Sequence, residues 1–77
     1  MLLSTAIARW VVKRALIMIG KGEAAAYPAL MKAIDSLGDQ DGQVELFDLI
    51  KAASDYVSDI GDAIMKVVDK IDFLDLI

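Results

Sequence analysis

The sequence contains no cysteine and no histidine, and a single proline. Without cysteine there is neither a disulfide framework nor a thiolate metal site. Without histidine the commonest general base and the commonest transition-metal ligand are both missing. Most enzyme classes become remote, and the chain reads as non-enzymatic and free of cofactors; only oxygen-ligated ions, and catalysis by carboxylates or lysine, stay open in principle. Acid is nearly absent from the front of the chain. Residues 1–32 carry Arg9, Lys13, Arg14, Lys21 and Lys32 against Glu23 alone, a net +4, whereas residues 33–77 carry eleven acids against Lys51, Lys66 and Lys70, a net −8. A basic front and an acidic back can neutralise each other within one chain, or between copies stacked head to tail.

An unbroken apolar run long enough to cross a bilayer is also missing. Residues 2–19 are apolar at most positions, but Arg9, Lys13 and Arg14 interrupt them, and each would cost about 2.5–3.5 kcal/mol at a bilayer centre. A secretory signal would place its cations ahead of the apolar stretch and a small-residue cleavage site behind it, an order not found here. The expected location is cytoplasmic or peripheral to a membrane.

What is present in excess is apolar side chain. At 77 residues the chain makes one domain, residues 1–77, and its hydrophobic share is 57%, against about 45–50% for an ordinary soluble domain. A core of this size supplies only a few kcal/mol unless something else adds to it. An assembly or a membrane surface would use the surplus.

The stretch from Val44 to Leu76 carries the strongest pattern. Leu46, Ile50, Ala53, Val57, Ile60, Ile64, Val67, Ile71 and Leu74 recur at spacings of 4, 3, 4, 3, 4, 3, 4 and 3, the a/d alternation of a heptad helix or coiled coil. Leu49, Tyr56 and Ala63 at g, with Phe47 and Val68 at e, widen the seam enough to touch two neighbours. Asp48, Asp55, Asp62 and Asp69 repeat every seven residues at f, opposite the seam, which is a water-facing position. The heptad phase passes through Gly61, where a break would be cheapest, so the pattern predicts one continuous or gently kinked helix over 44–76. Such a helix would be about 50 Å long, against roughly 30 Å for a compact domain of this size.

The remainder also reads as helix. Residues 2–19 form a basic amphipathic helix in which Thr5, Arg9 and Lys13 share one sector and Leu3, Ala6, Ile7, Trp10 and Ile17 another. Arg14 falls inside the apolar sector, four residues after Trp10. Its guanidinium either runs out to water, lies over the indole, or meets an acid beside the seam, for which Glu45, Asp59 and Asp75 are the candidates. Gly20-Lys21-Gly22 stops this helix. A shorter helix follows over 25–37, with Tyr27, Leu30, Met31, Ile34 and Leu37 on one face and Pro28 tolerable only in its first turn. Gly38 ends it, and 38–43 is an acidic loop. Met18, Met31 and Met65 read as core filler.

Two short resemblances attach to the loop and its flanks. With Gly42 at the sixth position, Asp39-Gln40-Asp41-Gly42-Gln43-Val44-Glu45-Leu46-Phe47-Asp48 resembles the calcium loop of EF-hand and dockerin modules, which implies Asp39, Asp41 and Asp48 as ligands at the third, fifth and twelfth positions. Leu37 stands where the first ligand belongs, and Asp48 is shorter than the usual bidentate Glu. Asp35-Ser36-Leu37 followed by Val44-Glu45-Leu46 is similar to acyl carrier proteins, which would make Ser36 the carrier of a phosphopantetheine arm at the start of a helix. An acidic interhelix loop accounts for the same letters without either chemistry.

The expected protein is therefore all-α, with three helices at about 2–19, 25–37 and 44–76, the last of them heptad-patterned. Its expected role is a structural or assembly subunit that meets copies of itself or a partner helix through Leu46, Ile50, Ala53, Val57, Ile60, Ile64, Val67, Ile71 and Leu74. The alternative is a membrane-surface or pore-forming protein acting through Arg9, Trp10, Lys13 and Arg14. Nucleic acid is not an expected partner, because a few cations beside an acidic body give a weak field for phosphate.

Overall fold

The computed structural model of the chain describes residues 2–22, 27–39 and 41–76, with side-chain surroundings through residue 70. It is mostly helical, as the composition and periodicity require, but it differs from the expectation in two places.

The first difference is at the front. Leu2–Ser4 is a short strand, β1, and helix α1 runs over Thr5–Met18. Ser4 is the reason the helix starts where it does: its backbone is extended and its hydroxyl accepts the Ile7 N–H at 3.1 Å, satisfying one of the donors that a helix start leaves open. β1 pairs antiparallel with β2, Gln43–Glu45, with Leu3 opposite Val44. That alternation turns Leu3 and Val44 into the core and leaves Leu2 and Gln43 outside. At the other end α1 stops as expected. Gly20 has φ +71, its N–H donates to the Ile17 carbonyl at 3.1 Å, and the Lys21 N–H donates to the Leu16 carbonyl at 2.9 Å. This is the paired closure of a Schellman motif, and it needs a residue free to adopt positive φ.

Helix α2, Pro28–Leu37, begins with its proline at a position whose N–H is not needed and ends at Gly38. Residues 25 and 26, given to this helix by the sequence pattern, lie outside the described residues. The Tyr27 hydroxyl donates to the Lys21 carbonyl at 3.1 Å, which draws the two ends of the α1–α2 connection together.

The second difference is in the heptad stretch, which is two helices. Helix α3 covers Leu46–Tyr56 and helix α4 covers Ile60–Leu76. The break falls at residues 57–59, ahead of Gly61, which lies inside α4. Val57 takes an extended conformation, φ −138° and ψ 103°, while its N–H still donates to the Ala53 carbonyl at 2.9 Å. The physical reason is length. The molecule measures 33 × 30 × 18 Å, and an unbroken helix of about 50 Å would carry its second half beyond the core. Broken at Val57, the stretch places α4 against α1 and α3 against α2. Asp48 and Asp62 then each sit in the first turn of a helix, where the helix dipole favours an acid.

One apolar core joins all the elements. It includes Val11, Val12, Ala15 and Leu16 of α1, Leu30 and Ile34 of α2, Leu49 and Ala53 of α3, and Ile60, Ile64 and Val68 of α4. No polar or charged side chain is buried among the described residues.

Candidate functional site

The seam residues lie in the chain's own interior. Leu46, Ala53, Val57, Ile60, Ile64 and Val67 are buried and Ile50 is partly buried against the core, while the side chains of Ile71 and Leu74 lie outside the described set. Of the flanking positions, Leu49, Ala63 and Val68 are buried, but Phe47 and Tyr56 are exposed. The f-position acids Asp48, Asp55, Asp62 and Asp69 are all exposed. The pattern thus marks a buried face correctly, and what covers that face is α1 and α2 of the same chain.

Helix α1 has two apolar sectors. Of the sector read from the sequence, Leu3 precedes the helix and is buried, while Ala6, Ile7, Trp10 and Ile17 face water; Ala8, Val11, Val12, Ala15 and Leu16 face the core. The inward sector is mostly alanine and valine with Leu16, and small residues let helix axes approach closely, as between α1 and α4. Trp10 is 47% exposed and Ile17 56%, with Ile7 and Met18 exposed beside them. Ile7, Trp10, Arg14 and Ile17 are spaced 3, 4 and 3 along the helix, so they form one continuous stripe. Met65 is also exposed, and of the three methionines only Met31 packs against the core.

Arg14 lies on this stripe and Lys13 beside it, both exposed, and α1 contains no acid to offset them. Arg14 forms no ion pair among the described residues; Asp75, one of its three candidate partners, lies outside the described side chains. Arg9 instead faces α2, with its Nε 3.8 Å from Asp35 Oδ1 and both side chains nearly half exposed. An exposed pair of this length contributes at most about 1 kcal/mol. Arg9→Ala and Arg14→Ala should therefore each shift a thermal melt by only a few degrees, and a large loss for Arg14→Ala alone would place its guanidinium in a buried pair.

The second surface is an open groove of about 470 Å³ at the β1–β2 end, lined by Leu2, Ser36, Leu37, Asp39, Asp41, Gln43, Glu45 and Asp48. It joins two exposed apolar residues, Leu2 and Leu37, to four acids. The loop has the helix–loop–helix form of the calcium-loop resemblance, with Val44 in the short strand, but no group of three or more acids able to hold a metal ion forms among the described residues. Asp41 Oδ1 is engaged locally, accepting the Gln43 N–H at 3.0 Å. Ser36 lies in the last turn of α2, the opposite end from the helix start that an acyl carrier serine would occupy.

Glu45 caps α3. Partial desolvation pushes its carboxyl up, but the favourable interactions it makes, the backbone N–H groups of Phe47, at 2.7 Å, and Asp48 among them, outweigh this and hold it below its ordinary value of 4.5. A carboxyl whose pKa is lower in the folded chain stabilises fully above its unfolded value, and the contribution fades as pH falls from 4.5 through the lowered value. Glu45→Gln should therefore flatten the acid limb of a melting-temperature profile below about pH 5; an unchanged acid limb would assign that limb to other carboxylates.

No helix among the described residues is long and apolar enough to cross a membrane. No protein family model, curated protein or solved structure matches the chain.

Proposed function

We propose that this protein is a non-enzymatic assembly module that docks a partner through the outward face of α1. The observation that carries the reading is the second apolar stripe of that helix. A helix that has already buried one face normally presents polar residues on the other, yet here Ile7, Trp10, Ile17 and Met18 stay exposed. Trp and Arg are the residue types most enriched among the anchors of protein interfaces. The seam of α3 and α4 is engaged in the chain's own core, so docking falls to this face instead. The partner is negatively charged, because Lys13 and Arg14 accompany the stripe and α1 has no acid.

An acidic protein surface and an anionic lipid surface both meet that requirement, and a protein partner is favoured because the chain itself offers one in its exposed acids. Light scattering across micromolar concentrations tests this, with Trp10→Ser and Ile17→Ser as variants and flotation on anionic vesicles as the second arm. A mass above one chain that falls in both variants, with no vesicle enrichment, is the expected result. A mass of one chain together with vesicle binding lost in Arg9→Gln, Lys13→Gln and Arg14→Gln would assign the face to lipid. A mass of one chain with no vesicle binding would overturn self-association.

A further inference from the structure

We infer that the outward stripe of α1 docks into the acidic groove of a second copy, so that copies add head to tail. The inference rests on the self-association reading above and names the two surfaces involved. α1 offers cations and bulky apolar residues without a single acid. The groove offers Asp39, Asp41 and Asp48 around Leu2 and Leu37. The acids alone would specify no ligand; it is the match in charge and in apolar content with another surface of the same chain that specifies one. The groove is open, about 470 Å³, and Trp10 is the largest apolar side chain that the stripe offers to it.

Two alternatives on the same chain fail on geometry or charge. No residue of α1 lines the groove of its own chain, so the contact is not made within one molecule. Two α1 stripes placed face to face would bring Lys13 and Arg14 of each copy together, with no acid of α1 to neutralise them. The contact is therefore heterologous: the two copies use different patches, and each bound pair still has one stripe and one groove free. Such contacts grow into rings or open chains and do not stop at a dimer. Charges on both sides are exposed, so association should weaken as salt screens them.

The test is charge reversal on each side, using full chains whose folding is first checked by thermal melt. Lys13→Glu/Arg14→Glu puts acid against acid in a homotypic contact, and Asp39→Lys/Asp48→Lys puts base against base. Each variant alone is expected to remain at the mass of one chain, and an equimolar mixture is expected to associate, because each now meets its complement. Should Asp48→Lys loosen the start of α3, Asp39→Lys alone serves as the groove variant, with a smaller expected loss. If wild type associates but either variant associates equally well, or the mixture stays at one chain, then assembly uses other surfaces and this inference fails while self-association stands. If wild type does not associate, both fail.

Discussion

Ile64→Ala is expected to remove about 2–5 kcal/mol of stability, the usual loss on truncating a fully buried branched side chain. Ile64 has no exposed surface and lies in α4, which packs against α1 and α3. A domain of this length has on the order of 4–12 kcal/mol in total. The melting temperature should therefore fall by more than about 10 °C, whereas Met65→Ala, one residue away and exposed, should change stability by about 0.5 kcal/mol or less. Circular dichroism melts at several protein concentrations measure both. Because the seam is covered by the same chain, the size of the Ile64→Ala loss should not depend on concentration. A loss that shrinks as concentration rises would instead place Ile64 between copies.

Gly38→Ala should be clearly destabilising, although it adds one methyl group. Gly38 closes α2 and is itself buried, and a Cβ there would collide with Thr5 Oγ1. The backbones around the clash are held in place. The Thr5 N–H donates to the Gly42 carbonyl at 3.0 Å, the Gly42 N–H donates to the Gly38 carbonyl at 2.8 Å, and Val44 is paired in the strand ladder. Overpacking of this kind costs about 1–3 kcal/mol. Gly61→Ala is the matched comparison: its Cβ would meet Ile50 at an ordinary 3.4 Å inside α4, and alanine favours helix by about 1 kcal/mol over glycine. Gly61→Ala is thus expected to be neutral or stabilising. Equal losses for the two variants, read by denaturant titration, would show that the Gly38–Thr5 approach is not constrained.

The features legible in the sequence are those set by near neighbours. Gly20 and Pro28 mark a helix end and a helix start because capping geometry depends on a few consecutive residues. The burial of Leu46, Ala53, Ile60 and Ile64 follows from their spacing alone, as does the exposure of the Asp48–Asp69 stripe. The break at 57–59 was hidden because Val57 stays buried while its backbone is extended, and Ile60 resumes inward on the other side. A bend that keeps the phase leaves no trace in the phase. Strand β1 was hidden because its partner lies about forty residues away, although Ser4 and Thr5 are adjacent N-cap residue types that could have moved the helix start. Which sector of α1 faces inward is not legible for a different reason: periodicity counts how apolar a face is, and α1 has two apolar sectors, with Ala8 and Ala15 turned inward and Trp10 outward. Periodicity assigns the interface to the seam and gives Arg9, Trp10, Lys13 and Arg14 to a membrane or partner surface, and the docking proposal builds on the second group.

Trp10 is the only tryptophan in the chain, so its fluorescence reports the proposed docking face directly. Emission of the full protein, followed from nanomolar to high micromolar concentration at low and high salt, is the decisive measurement. The account expects a half-exposed indole in the dilute protein that shifts to the blue as copies associate, with the shift reversed by salt and absent in Lys13→Glu/Arg14→Glu. A rise in mass without any change in Trp10 emission would contradict it, because assembly would then leave the outward face of α1 in water.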